Sequence, residues 1–390
     1  MSCPTQSRRV DVFARHIVEA PHRPTSDLEA SLTSSPGGFR AWVVDADNKK
    51  GKLKSAAIKE FQSASELPLQ DPKAKVTIRV QYSDLNYKDA MILDGQKGLC
   101  KSFPIVPGID CAGVVESSDS DMWKPGDRVV VTGNKIGQHF DGGLSGICRV
   151  KPEWCVSCPD NFTTEQCMIL GTAGFTAMQM IIHMEDCGMT LDHGPAEVLV
   201  TGAAGGVGST AIALLSRMGY KVVASTSRVD SEGDFLRKLG ATEVIGRLQG
   251  DGRKQPLQSQ RWMYAVDCVG GPTLSTILAQ MKHLGIVSAV GVAGGGLLDS
   301  SVYPFVLRGV RLLGVDSTLP WDCETYDKDP AFWKRQRAER LRVWKRLSEI
   351  LTPDKLELLH AGTVSMEEVP AVCEKLLKGQ IRGRMVVRTA

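Results

Sequence analysis

The chain has 390 residues, 42% of them apolar, enough to bury a sizeable core and to fill two or three domains of about 150 residues each, so disorder as a whole-chain state is excluded. Lys and Arg number 47 against 44 Asp and Glu, a net charge of +3, which is too balanced for a protein that binds nucleic acid by neutralising phosphates. No run of about 18 apolar residues is present, so no membrane span is expected. Eleven cysteines, an odd number scattered without a preceding signal peptide, read as reduced thiols.

Residues 1–38 carry Arg8, Arg9, Arg15 and Arg23 among several Ser and Thr, as an organellar import signal does. Asp11, Glu19, Asp27 and Glu29 oppose that reading, so a disordered extension on a cytoplasmic protein is expected, with import as the alternative. After the Ser35–Gly38 punctuation, Phe39 to Val44 reads as a strand and Val76 to Gln81 alternates with period two. Gly113 to Glu116 and Arg128 to Val131 are further β-type runs, separated by a Pro-Gly turn at Pro125. The stretch 132–146, with five glycines, reads as a loop. From about Met168 the pattern changes to six short strands, at Val198–Thr201, Val222–Ser225, Glu243–Ile245, Ala265–Cys268, Ile286–Val290 and Leu312–Val315. Between them lie helical periodicities such as Leu274, Ile277, Leu278 and Met281, which together predict a parallel, doubly wound α/β sheet. Beyond Pro330 comes a charged helix with Leu341, Trp344, Leu347 and Leu351 on one face. Its cations from Lys334 to Arg346 read as a solvated face, the alternative being a patch for an anionic tail such as the phosphates of CoA.

Glycine is the outlier, 39 of 390 residues against an average of about 7%. The central signal is Glu197-Val-Leu-Val-Thr-Gly-Ala-Ala-Gly-Gly-Val-Gly208, an apolar strand entering a glycine-rich turn and then a helix, the arrangement that receives a dinucleotide pyrophosphate. Ala203 takes the first glycine position of the usual fingerprint. The next strand ends Ala224-Ser-Thr-Ser-Arg228 with no carboxylate before Asp230, which favours NADPH: Ser227 and Arg228 suit a 2′-phosphate. The alternative leaves Arg228 in solvent and gives Asp230 the ribose of NAD. No metal site is expected, since the histidines are scattered and Cys155-x-x-Cys158 lacks a second pair. Gly143-Leu-Ser145-Gly146 continues into Ile147, which does not make a nucleophile elbow.

The stretches Ser83-Asp-Leu-Asn-Tyr-Lys-Asp-Ala90, Phe103 to Gly113, Gly171 to Met178, Val200 to Ser209, Pro304 to Arg308 and Gly314 to Ser317 resemble the medium-chain dehydrogenase/reductase superfamily in its zinc-free quinone-oxidoreductase branch. Within that branch the chain is similar to the acrylyl-CoA reductase (YhdH/YhfP-type) family. Zinc-dependent members have Gly-His-Glu where this chain has Gly108-Ile109-Asp110. The resemblance implies a GroES-like, β-rich catalytic domain at 39–167, a Rossmann NADPH-binding domain at 168–325, and a C-terminal segment at 326–390 that returns to the catalytic domain. It implies NADPH-dependent reduction of an enoyl thioester, acryloyl-CoA to propanoyl-CoA, in a homodimer. Quinone or enone reduction is the rival, and NADPH binding without turnover a further one. Cofactor contacts implied are Tyr87 at the nicotinamide, Gly205, Gly206, Val207, Gly208, Ser209 and Thr210 at the pyrophosphate, Ser227 and Arg228 at the 2′-phosphate, and Arg247, Leu297 and Arg311 besides. For the chemistry it points to Asn86, Tyr87 and Asp89. The Tyr87 hydroxyl and Asn86 amide would hold and orient the thioester carbonyl, and Asp89 would be an acid or would position Lys88 or Tyr87. The plain alternatives are packing for Tyr87, a turn role for Asn86 and a helix-capping or surface carboxylate for Asp89. The chain departs from such relatives at Asp84, Cys111 and Ser145.

Overall fold

The computed structural model describes residues 38–48, 52–96, 98–192, 194, 196–250, 252–319 and 323–389. The expectations for the extension before Gly38 fall outside them. β1 (Phe39–Ala46) pairs antiparallel with β2 (Leu53–Phe61). The sequence reading has no strand at β2, whose Lys and Glu side chains leave only Ala56, Ile58 and Phe61 half-buried and so blur the period-two signal. β3 (Val76–Asp84) leads into the short helix α1 (Tyr87–Leu93), followed by β4 (Asp110–Ser118), β5 (Arg128–Thr132), β6 (Ile147–Val150) and β7 (Val156–Ser157).

The long helix α2 (Thr164–Asp186) crosses the boundary expected at 167/168. Reciprocal bonds start it: Gln166 N donates to Thr163 Oγ1 at 3.1 Å and Thr163 N to Gln166 Oε1 at 2.9 Å. It is apolar enough by length and composition to cross a membrane, yet 94% of its apolar window is buried inside the protein, making it a core helix.

The α/β part then runs β8 (Glu197–Thr201), α3 (Gly206–Arg217), β9 (Lys221–Ser225), α4 (Val229–Leu239), β10 (Ala241–Ile245), β11 (Trp262–Asp267), α5 (Gly271–Gln280), β12 (Met281–Ala289), α6 (Tyr303–Arg308) and β13 (Arg311–Gly314). All six predicted strands are present and pair in parallel in the order β10-β9-β8-β11-β12-β13. The order reverses between β8 and β11, and a crevice opens outside their carboxyl ends.

Last come α7 (Pro330–Ile350), α8 (Pro353–Leu359), β14 (His360–Val364), α9 (Val369–Leu377) and β15 (Arg384–Arg388). β15 lies antiparallel to β3, with Val386 opposite Asp84, and the first sheet reads β14-β15-β3-β4-β5-β7, with β6 also on β3. The basic helix α7 keeps a solvated face at Lys334, Arg335 and Lys345, but other cations of the run are tied down. Arg342 makes two 2.8 Å bonds to Asp186, and Arg346 binds Glu185 at 2.7 and 3.1 Å. The buried Arg340 donates to Thr132 O at 2.7 Å and Ser317 O at 3.2 Å, and Arg337 donates to Cys155 O at 2.8 Å. These four cations fasten α7 to α2 and to the first sheet. Cys155 and Cys158 are buried thiols that form no disulfide, and Cys158 Sγ lies 3.3 Å from Cys167 Sγ.

Candidate active site

A cleft of about 900 Å³ is lined on one side by Asn86, Tyr87 and Lys88 at the start of α1 and by Arg384 of β15. On the other side stand residues at or beyond the carboxyl ends of β8, β9 and β11. After Thr201 the chain turns at Gly202 (φ +60°), and Gly205 caps α3, with Ser209 N donating to Gly205 O at 2.9 Å. The N–H groups of Gly206, Val207 and Gly208 therefore have no acceptor within the helix and lie at the positive end of its dipole, a receptor for pyrophosphate. A Cβ on Gly208 would stand 2.4 Å from Gly202 O, so only glycine lets the helix seat against the turn. Ser209 and Thr210 are placed differently from expectation. Both are buried, outside the cleft lining, with hydroxyls turned to Gly206 O at 3.3 and 2.8 Å.

Ser227 and Arg228 line the cleft beyond β9. Arg228 is held loosely, with Nη1 3.5 Å from Glu232 Oε1 and Nη2 3.5 Å from Ile381 O. Asp230 is exposed on the first turn of α4 and is not among the residues lining the cleft. Arg247 also lines it, with Nε 3.4 Å from Thr273 Oγ1. Two expected contacts are not brought there. Leu297 is 86% exposed outside the lining, and Arg311 begins β13, at the opposite end from the crevice, where it donates to Cys187 O.

Opposite, Asp89 is corrected as a proton-transfer residue. It is fully buried and outside the cleft lining. Its Oδ2 accepts from Asn86 N at 2.9 Å, and its Oδ1 accepts from Gly108 N and Ile109 N at 3.1 and 2.9 Å. Burial raises its pKa to about 6 against the pull of these N–H groups. Asp89 thus ties the first turn of α1 to the approach of β4.

Asn86 is committed as well. Its Nδ2 donates to Asp84 Oδ1 at 2.7 Å and Asp110 Oδ2 at 2.9 Å, and its Oδ1 accepts from Arg384 Nη1 at 3.1 Å. Arg384 also pairs with Asp84 and donates from Nε to Ile169 O at 3.3 Å. Asp110 further accepts from Thr172 N at 2.7 Å and Gly133 N at 3.1 Å. With both amide hydrogens spent on carboxylates, Asn86 has none for a substrate carbonyl, and the expected donor role is replaced by that of a pinned strut. Burial and then the neighbouring Asp110 push the Asp84 carboxyl well up, while Arg384 pulls it down. Room for this network comes from a kink in α2 at Gly171 (φ +49°), where a Cβ would lie 1.8 Å from Asp84 Oδ2. Tyr87, 56% exposed, remains on the cleft wall.

The alcohol dehydrogenase GroES-like domain model matches residues 72–190, and the zinc-binding dehydrogenase model matches residues 206–327. Acrylyl-CoA reductase AcuI of Ruegeria pomeroyi is 44% identical over 351 residues, 90% of this chain and 98% of that protein. The chain belongs to the acrylyl-CoA reductase family. The crystal structures of Escherichia coli K-12 YhdH with bound NADPH and of the Salmonella enterica yhdH oxidoreductase in complex with NADP share the fold with a TM-score of 0.78. They are 37% and 36% identical, and each match covers 90% of this chain and 100% of theirs. This family member therefore has the expected α/β architecture, a GroES-like domain with a six-stranded parallel Rossmann domain, and is an oxidoreductase of the acrylyl-CoA reductase type. Despite the name of the second matching model, no group of three or more His, Cys, Asp or Glu among the described residues is placed to hold a metal ion.

Several further cleft residues of this reductase carry no separate signal in the sequence. Lys88, expected only as a residue that Asp89 would position, itself lines the wall, as do Asp316 and Ser317 at the end of the Gly314–Ser317 stretch. Thr172 and Thr176 also line it, with Thr176 Oγ1 donating to Thr172 O at 2.6 Å and 2.7 Å from Ser317 Oγ. Arg384 had no local signal, because its partner Asp84 is 300 residues away.

Proposed function

We propose that this chain uses NADPH to reduce the activated C=C bond of an enoyl thioester, with acryloyl-CoA to propanoyl-CoA as the first candidate. The observation that carries this reading is one cleft that joins an acid-free strand end, Ser227–Arg228, to Tyr87 and Lys88 on the facing wall. Its support is that AcuI, an acrylyl-CoA reductase, aligns over nearly its whole length, and that YhdH has been crystallised with NADPH. NADPH, when bound, would supply the hydride that reaches the β-carbon. The N–H groups of Gly206 to Gly208 would hold its pyrophosphate, Ser227, Arg228 and Arg247 its 2′-phosphate, and Tyr87 would lie beside its nicotinamide. The protein's own tasks are to orient the thioester, to donate a hydrogen bond to its carbonyl oxygen as enolate charge develops, and to provide a proton to Cα. The Tyr87 hydroxyl suits the second task.

NADPH oxidation measured side by side with acryloyl-CoA, crotonyl-CoA, a free enone and a simple quinone is expected to favour acryloyl-CoA. A quinone preference with acryloyl-CoA inert would hand the site to the rival reading, and no oxidation with any acceptor would leave NADPH binding without turnover.

A homodimer formed along β13 is part of the same proposal. Among the described residues that strand has a neighbour on one side only, and beside it Val302, Tyr303, Val306 and Leu307 of the α6 segment are exposed. Sedimentation is expected to give twice the chain mass of 42.3 kDa. A single-chain mass at micromolar concentration would remove the dimer.

A further inference from the structure

We infer that Lys88 is the acid of the cleft, the group that gives its proton to Cα of the reduced thioester. This rests on the enoyl-thioester reading and deepens it by naming the proton donor.

Stability alone does not explain a lysine here. Lys88 lies in the first turn of α1, where the helix dipole opposes a cation, and it is half-buried in the cleft wall. Among the described residues, Nζ has one hydrogen-bond partner, Gln138 Oε1 at 3.4 Å. Gln138 is itself buried and anchored through Nε2 to Leu99 O at 3.0 Å. An ammonium has three donors, so the remaining ones are free for a ligand in the cleft.

The charged groups around it set its protonation. Asp89 on its own helix, Asp110 of β4 and Asp316 beyond β13 favour the ammonium, and none of them is within ion-pair distance of Nζ among the described residues. Burial outweighs them and lowers its pKa below the ordinary 10.5. A lysine brought toward working pH is a better acid than an ordinary one. Several polar groups nearby are engaged: the Asn86 amide by two carboxylates, Asp89 by three backbone N–H groups, Thr172 Oγ1 by Asp110 and Thr176 Oγ1 by Thr172 O, while the exposed Tyr87 hydroxyl is the group given to the carbonyl oxygen.

The step balances. As hydride bonds to Cβ, the C=C electron pair moves toward the carbonyl to give the enolate. The enolate then takes a proton at Cα as one Lys88 N–H bond breaks, and the neutral amine regains a proton from solvent.

Lys88→Met is expected to lower kcat with acryloyl-CoA by about 10²–10³-fold, with NADPH affinity unchanged within about twofold. Lys88→Arg, which holds its proton too tightly, is expected to stay well below the parent. Because Lys88 acts protonated, the parent kcat is expected to fall as pH rises through the lowered pKa. That limb should vanish in Lys88→Met and move to lower pH in Asp316→Asn, which removes a carboxylate that favours the ammonium. A readout independent of turnover is amine acylation of the cofactor-free protein across pH, mapped by peptide mass, in which Lys88 should become reactive at lower pH than the surface lysines. Turnover by Lys88→Met within about threefold of the parent, with the same pH limb, would remove Lys88 while leaving the reductase reading intact. No enoyl-thioester turnover by the parent would remove that reading and this role together. Should Lys88→Met fail to bind NADPH, the pH limb of Lys88→Arg and the acylation profile decide, and a profile matching the surface lysines overturns the assignment.

Discussion

Arg384→Met is expected to destabilise the protein by about 3–5 kcal/mol, the usual cost of removing one partner from a buried ion pair. The guanidinium and Asp84 are 5% and 0% exposed, and Asp110 stands against the same Asn86 amide. Without the cation, Asp84 faces Asp110 in a site that already disfavours its charge, and it can avoid the repulsion only by taking up a proton. Asn86 Oδ1 loses its donor as well. Chemical denaturation of Arg384→Met, Asp84→Asn and the double variant separates these effects. The double variant should recover part of the loss, because the stranded carboxylate is gone. A loss under about 1 kcal/mol for Arg384→Met would mean that the pair is open to water in solution.

The second large effect concerns the cofactor. Arg228→Ala is expected to weaken NADPH binding by about 10- to 100-fold, the worth of one charge-assisted phosphate contact, and to leave NADH within about twofold. The guanidinium is poised for this, since its two contacts, to Glu232 and Ile381, are each 3.5 Å long and cost little to exchange for a phosphate. Asp230→Ala should change neither cofactor, because that carboxylate is outside the cleft. Titration of both dinucleotides against each variant checks this, and equal weakening of NADPH and NADH would take Arg228 away from the 2′-phosphate.

The parallel sheet was readable because strands covered on both faces appear as unbroken apolar runs; Val198, Leu199 and Val200 are all fully buried. The glycine turn was readable because its parts are consecutive. The direction in which a side chain points was much less so. Asn86 and Asp89 sit in one short motif, yet the fold aims the Asn86 amide at Asp84 and Asp110 and the Asp89 carboxylate at the Gly108–Ile109 backbone. Three-residue spacing at a helix start does suggest a cap, and that plainer reading of Asp89 describes its bonds. Arg311, expected at the cofactor only through the family resemblance, stands at the amino end of its strand, away from the crevice. The cations of α7 form a conspicuous run in one dimension and become staples only when α2 packs beside them.

The place of β15 beside β3 bears on how the molecule can be made. Thr389 N reaches Gln81 O at 3.2 Å, and Thr389 Oγ1 reaches Val80 O at 2.8 Å, so a segment made late in synthesis completes a strand pair begun some three hundred residues earlier. Until it arrives, the Tyr82–Asp84 end of β3, beyond the part covered by β6, lacks a partner and Asp84 has no arginine, whereas the parallel sheet already has all its strands from one continuous stretch. A chain cut short before residue 384 would therefore carry an assembled nucleotide half joined to an open, aggregation-prone sheet, and the catalytic wall closes only when residues 384–389 are available to pair.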